Sequence, residues 1–152
     1  MKKIDISDLL FHALVPIILG SMIGFIFKDY TSYLEELDRT IVVPRIVFPV
    51  VWSILYLLIG IWYHFFSQTA LKKDKIIYYV GLGINLLFTP VLFYFENIPL
   101  AFLIVIVLLI INIYLLFKST KDSKKGYLLV PYILWLCFAS VLMIDLLINN
   151  VL

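Results

Sequence analysis

Five apolar stretches, at residues 9–27, 46–66, 76–95, 99–117 and 126–148, are the feature that most restricts what this chain can fold into. A helix of about 20 apolar residues crosses the hydrocarbon core of a bilayer, whereas membrane β-strands are shorter and alternate polar with apolar residues. The chain is 64% hydrophobic, too apolar for a core of 152 residues to bury. We therefore predict a single all-α integral membrane domain, residues 1–152, built as a bundle of five transmembrane helices.

The basic residues separate into two groups once five spans are drawn. An odd number of spans places the termini on opposite sides, and only Lys28, Arg39 and Arg45 fall on the C-terminal side. Since cytoplasmic loops are rich in lysine and arginine, we predict the N-terminus inside and the C-terminus outside a bacterial cell membrane. A net charge of +2 is too small to indicate nucleic acid as a partner. The basic residues on the N-terminal side are Lys2, Lys3, Lys72, Lys73, Lys75, Lys118, Lys121, Lys124 and Lys125.

Several aromatic and polar residues inside the spans are candidates for anchoring or binding. Trp62, Tyr63 and Tyr78 fall near the lysine-rich face, where aromatic side chains anchor helices in the interface. Trp135 lies too deep for that role, so it either packs in the core or stacks on a flat ligand. Asn85, near the middle of the third stretch, either joins helices by hydrogen bonds or lines a ligand cavity, and the two roles are compatible.

Other residues receive structural interpretations. Gly20 and Gly24 form a GxxxG pair typical of close helix packing. His12 and His64 have no metal-site spacing, so we interpret them as interface histidines and predict no metal. Asp145, near the outer end of the fifth stretch, is expected to be solvated. No motif for a catalytic residue set is present.

Three short patterns resemble the translocator protein family, also called the peripheral benzodiazepine receptor or tryptophan-rich sensory protein (TspO) family. A stiff, proline-containing approach leads into "VWSILYLLIG" at residues 51–60, "LGINLLFTPVLF" follows at 82–93, and "PYILWLCFA" lies at 131–139. Their order and spacing match the family over most of the chain. Departures include Ser32, Ile41 and Phe88, where the family has tryptophan, and the C-terminus lacks the sterol-recognition pattern, so cholesterol binding is not predicted.

The resemblance implies a pocket inside the bundle, lidded by the loop at residues 28–45, that takes porphyrins or similar flat hydrophobic molecules. It implies no required cofactor, with protoporphyrin IX or a haem-like porphyrin as ligand, and no catalytic residue unless light-driven porphyrin degradation occurs, which would involve Trp52 and Trp135. Helix rise places these two indoles about 11 Å apart in depth, so an edge-on porphyrin would touch both. The implied ligand-binding residues are Tyr33, Pro44, Phe48, Trp52, Tyr56, Asn85, Phe88, Pro90, Tyr132, Trp135, Phe138 and Ala139.

The leading prediction is thus a receptor-like or sensor-like membrane protein whose partners are the lipid bilayer and a small hydrophobic aromatic ligand. Two alternatives stay open: a transporter of tetrapyrroles or other small hydrophobic molecules, and a structural membrane partner protein without a ligand. The sequence also leaves open whether the protein forms a homodimer.

Overall fold

The computed structural model describes residues 5–122 and 124–152, and its long elements are all helical. Five helices within this part are long and apolar enough to cross a membrane, which confirms the predicted fold class. A short helix, α2, lies in the first loop between α1 and α3. The helices are α1 (Ile6–Ile26), α2 (Tyr33–Glu36), α3 (Val47–Ser67), α4 (Lys72–Thr89), α5 (Ile98–Asp122) and α6 (Val130–Asn150).

Helices α4 and α5 extend furthest beyond the apolar stretches that predict them. Helix α4 begins at Lys72 rather than at residue 76, and α5 continues to Asp122 rather than ending at 117. Lysine is a good helix former, so a helix does not have to stop where the hydrocarbon stops. The lysine-rich connections are therefore shorter than the sequence suggests. Lys2 and Lys3, which contribute to the predicted topology, lie outside the described residues.

Helix α1 packs mainly against α3, and a glycine sets how closely the two approach. A Cβ added at Gly60 would lie 2.6 Å from the Cα of Ala13 and would also overlap the carbonyl of His12. Of the predicted GxxxG pair, Gly20 contacts the Tyr56 ring, whereas a Cβ added at Gly24 would have nothing within 4 Å. The close contact of two backbones is thus made by a glycine of α3, and the GxxxG prediction holds for Gly20 alone.

Trp62, Tyr63 and Tyr78, near the lysine-rich end, lie inside the bundle, so their interpretation as interface anchors was wrong, whereas Tyr79 and Tyr127 at the same end are exposed. Trp62 is 1% exposed and stacks on Phe66 with ring centroids 4.7 Å apart. Tyr63 and Tyr78 are also buried and stack on each other at 3.9 Å, joining α3 to α4. Position along the chain could not distinguish the two roles, because an interface anchor and a buried aromatic residue both occur near the end of a span. What separates them is the helix face, which depends on the neighbouring helices.

Candidate functional site

A cavity of about 490 Å³ opens at the end of the bundle that carries the first loop. Its walls come from α1, α3, α4, α5 and α6, and the loop contributes residues between Lys28 and Arg45. The volume falls in the range of about 300–1,000 Å³ that small-molecule sites occupy. Most of the wall is apolar, with a few polar side chains near the loop, which suits a ligand with a hydrophobic body.

Aromatic rings from α3 and α6 form one wall of this cavity. The Trp52 and Trp135 centroids lie 6.4 Å apart with their planes at 82°, and Trp52 also packs on Tyr56 at 5.2 Å. Phe48 meets Trp135 edge to face at 6.1 Å. Edge-to-face contacts of this kind hold rings in fixed orientations. The wall is therefore a preformed aromatic surface and not a set of separate side chains.

The two indoles lie closer together than the depth difference of about 11 Å that helix rise predicts. That estimate placed the outer ends of α3 and α6 at one level. Helix α6 instead continues into the loop, since Asp145 and Asn150 both hydrogen-bond to loop residues. Trp135 is thus nearer to Trp52 than residue counting from the helix end suggests, and a ligand would meet both indoles at one spot.

Asn85 joins three helices and borders the cavity at the same time. The Tyr56 hydroxyl donates to its Oδ1 at 2.7 Å, and its Nδ2 donates to the Tyr132 hydroxyl at 2.6 Å. Both predicted roles of Asn85 are thus compatible with its position. These two bonds use one lone pair of the carbonyl oxygen and one amide proton, so one acceptor position and one amide proton remain.

The predicted site residues divide into two groups. Those that line the cavity come from the inner faces of α3, α4 and α6, whereas the others lie behind the wall, on the outer surface or in the loop away from the cavity. The cavity brings together Phe48, Trp52, Tyr56, Asn85, Phe88, Trp135 and Ala139. The remaining predicted residues, Tyr33, Pro44, Pro90, Tyr132 and Phe138, are not among the residues that line it.

The contacts of the predicted residues that do not line the cavity explain why they lie elsewhere. Tyr132 is buried behind Asn85, and Phe138 is 39% exposed on the outside of α6. Pro90 starts a π-helical turn that extends α4, with the Phe95 amide donating to its carbonyl at 3.0 Å. The Tyr33 hydroxyl lies 3.5 Å from the Glu96 carbonyl oxygen, and its partial burial, with the nearby acids Glu96 and Glu36, raises the pKa of Tyr33.

Charged residues gather at the loop end of the cavity, a feature that the sequence interpretation missed. Lys28, Arg39 and Arg45, the basic residues of the C-terminal side, all line it. Arg45 is paired with Glu35. Within the described residues, neither Lys28 nor Arg39 has a carboxylate within salt-bridge distance. The sequence does contain an indication of this feature, because all basic residues on the C-terminal side of the membrane lie in the loop at residues 28–45, which is predicted to cover the pocket.

Hydrogen bonds fasten the loop to the end of α6. Asp145 Oδ2 accepts from the backbone amides of Thr40 at 2.9 Å and Ile41 at 3.0 Å. The Asn150 side chain accepts from the Asp38 amide at 2.9 Å and donates to the Asp38 carbonyl at 2.7 Å. Asp145 is partly accessible to solvent, as expected, but its carboxylate also accepts these hydrogen bonds from the loop. Its carboxylate orders the loop segment that contributes Arg39 and Ile41 to the cavity.

The indole N–H of Trp135 is buried without a hydrogen-bond acceptor in the described part of the chain. A buried donor of this kind costs free energy when it stays unpaired. Trp62, at the other end of the bundle, has the same property. The aromatic wall thus contains an unsatisfied polar group next to a cavity.

Comparison with known proteins gives one consistent result. A sequence model of the TspO/MBR family matches residues 12–148. "Tryptophan-rich protein TspO" of Archaeoglobus fulgidus is 35% identical over 65% of this chain and 67% of its own length. "Protein CrtK" of Rhodobacter capsulatus is 31% identical over 78% of each chain. A "Tryptophan-rich sensory protein" of Cereibacter sphaeroides is 29% identical over 64% of this chain and 63% of its own.

Proposed function

Since this chain belongs to the TspO/MBR family, we propose that it is a membrane receptor or sensor that binds porphyrins or similar flat hydrophobic molecules. The observation that supports this proposal most directly is the aromatic wall. Trp52 and Trp135 lie edge to face beside a cavity large enough for a small molecule. A flat aromatic ring gains both apolar burial and ring contacts against such a wall.

The charged loop end of the cavity indicates which flat molecules fit best. Lys28 and Arg39 line the cavity, as does Asp145, and neither base forms an ion pair among the described residues. Lys28 Nζ lies over the Phe25 ring at 4.8 Å, which leaves Arg39 as the better partner for a ligand carboxylate. Guanidinium groups bind carboxylates in bidentate fashion, and the attraction is stronger where water is partly excluded. A ligand with an apolar ring system and carboxylates on one edge would place the ring against Trp52 and its acid groups at Arg39. Porphyrins with propionate side chains have this shape.

A sensing role is preferred to transport because of the loop. Asp145 and Asn150 hold the segment from Asp38 to Ile41 over the cavity by hydrogen bonds, and a bound ligand would either strengthen or break these bonds. A change in this loop would report ligand occupancy to the outer side. The relative from Cereibacter sphaeroides is named a sensory protein, which agrees with this choice.

The experiment is a titration of the purified protein with protoporphyrin IX, followed by Soret absorbance. Trp52→Phe and Trp135→Phe should each weaken binding about 2- to 12-fold, which corresponds to the ~0.5–1.5 kcal/mol of one aromatic contact. Trp62→Phe is the matched control, because Trp62 packs at the opposite end of the bundle and borders a different, smaller cavity. Arg39→Gln should weaken binding of protoporphyrin IX but not of a porphyrin without carboxylates.

Each component of the proposal has an outcome that contradicts it. A Trp62→Phe variant with the largest loss would place the ligand at the wrong end of the bundle. Equal losses of both porphyrins in Arg39→Gln would remove the role of the carboxylates. Wild-type protein that shows no Soret change would favour a structural partner protein, and porphyrin accumulation inside sealed vesicles would favour a transporter.

A further inference from the structure

The two histidines of the chain meet at the end of the bundle opposite the cavity. His12 lies in the second turn of α1, and His64 lies in the last turn of α3. Asp8, one turn before His12, faces the same point. The three side chains come from the two helices that Gly60 brings into backbone contact. Their meeting is therefore fixed by the packing of α1 on α3.

The distances within this cluster are short. His64 Nδ1 lies 2.8 Å from Asp8 Oδ2, and His12 Nδ1 lies 3.4 Å from Asp8 Oδ1. One ligand atom from each residue can be chosen so that all lie within 4.8 Å of one another. His64 is 1% exposed, His12 17% and Asp8 47%, so the cluster has one buried end and one side open to an entering ion.

We propose that Asp8, His12 and His64 form a binding site for a divalent transition-metal ion of the zinc type. Two imidazoles and one carboxylate are a common zinc ligand set, with a fourth position left for water. Tetrahedral bonds of about 2.0–2.1 Å require ligand atoms about 3.3 Å apart. The widest separation here has to shrink by about 1.5 Å (from 4.8 Å), and rotation of the exposed Asp8 side chain and of His12 supplies that movement.

Metal entry exchanges one neutral tautomer for the other at each histidine that ligates through Nδ1. Without metal, His64 Nδ1–H donates a hydrogen bond to Asp8 Oδ2, and His64 Nε2 accepts from the Gln68 amide at 3.2 Å. His12 Nδ1–H donates to the Asp8 carbonyl oxygen at 2.9 Å. When Nδ1 ligates the metal, its proton is replaced by one on Nε2, which is the other neutral tautomer. The Gln68 amide then turns its oxygen toward Nε2 and accepts this proton. Such a partner orients a ligating histidine, so Gln68 is a positioning residue.

A metal at this site would tie α1, the least buried of the five spans, to α3. Only 11% of the apolar window of α1 is buried inside the bundle, compared with 28–33% for the other spans. A metal that binds Asp8 and His12 of α1 together with His64 of α3 adds a link between the two helices. This inference does not depend on the proposed function, because the cavity lies at the other end of both helices.

The test measures zinc bound to the full-length protein, purified in detergent with a tag that contains no histidine. All variants carry Cys137→Ser, because this exposed thiol could bind zinc between molecules. We expect about one zinc per chain and a zinc-dependent rise in the melting temperature. Cobalt substitution should give the visible absorption of a tetrahedral site. His12→Gln and Asp8→Asn should each weaken binding at least 10-fold, and Asp29→Asn, in the first loop, is the matched control.

The outcomes separate clearly. The proposal is supported when the His12→Gln/His64→Gln double variant, which lacks every imidazole of the chain, loses both the zinc and the rise in melting temperature. It is overturned when the wild-type protein binds no more zinc than this double variant. If the buried His64 variant does not fold, the comparison of His12→Gln with Asp29→Asn decides in the same way. Protoporphyrin IX binding should be unchanged in His12→Gln, which separates this test from that of the proposed function.

Discussion

Replacing Gly60 by alanine should destabilise the protein, because this glycine lets α1 and α3 touch through their backbones. The added Cβ would lie 2.6 Å from the Cα of Ala13, whereas ordinary contacts begin near 3.4 Å. Helix α1 would have to move by at least about 0.8 Å at this point, because the His12 carbonyl oxygen lies closer still, and both atoms belong to the backbone rather than to a flexible side chain. The strain cannot be relieved by a rotamer change.

The size of the effect follows from two opposing contributions. Overpacking of a close contact costs about 1–3 kcal/mol. Alanine in place of glycine inside a helix recovers about 0.5–1 kcal/mol. Since the close atoms are all backbone, the overpacking cost lies in the upper part of that range, about 2–3 kcal/mol. The net loss for Gly60→Ala is therefore about 1–2.5 kcal/mol, which for a chain of this size corresponds to a fall in melting temperature of about 2–10 °C.

The control is the same substitution at Gly83 of α4. A Cβ there meets nothing within 4 Å, so Gly83→Ala should leave the melting temperature unchanged or raise it slightly. Thermal unfolding of the three purified proteins in one detergent, followed by circular dichroism, makes the comparison. A Gly60→Ala protein as stable as the Gly83→Ala protein would refute the close approach of α1 and α3.

Three further predictions address the polar network, the loop and the topology. Asn85→Leu should lower the free energy of unfolding in denaturant by about 1–2 kcal/mol, because it removes two hydrogen bonds within the membrane, and Tyr56→Phe should cost about half as much. An Asn85→Leu protein as stable as the wild type would contradict the network. Asp145→Asn should speed trypsin cleavage after Arg39 and Arg45, because the substitution weakens the acceptor for the loop amides. The control is Asp29→Asn, and equal cleavage rates in the two variants would show that other contacts hold the loop. Reporter fusions at the two termini should report opposite sides, with the N-terminus inside; both termini on one side would contradict five spans.

The sequence was enough for the spans and for the aromatic wall, but for different reasons. A stretch such as 99–117 predicts a membrane helix by length and apolarity alone, because no packing partner is needed to satisfy its backbone. Phe48, Trp52 and Trp135 were found through the resemblance to a family, whose recurring residues reflect contacts between helices that one sequence does not show. Tyr33 and Pro44 were placed at the cavity by the family resemblance, yet they do not line it, since the loop turns other residues inward.

What the sequence did not predict depends on contacts between distant helices. The pairing of Asp145 with the loop joins residues 104 and 105 positions apart, and nothing local marks it. The cluster of Asp8, His12 and His64 also requires the crossing of α1 and α3. Its local half could have been seen, because Asp8 and His12 are four residues apart and share one helix face. The partner from α3 could not.

The most direct test of the central claim, that a flat ligand binds against Trp52 and Trp135, is fluorine NMR of protein labelled with 5-fluorotryptophan. The chain has three tryptophans, so the spectrum has one resonance from each, assigned with the tryptophan-to-phenylalanine variants. The ring current of a porphyrin shifts only nuclei that lie close to the ring. Addition of protoporphyrin IX should move the resonances of Trp52 and Trp135 and leave that of Trp62 in place. A shift of the Trp62 resonance alone, or of none of the three at saturation, would contradict the account.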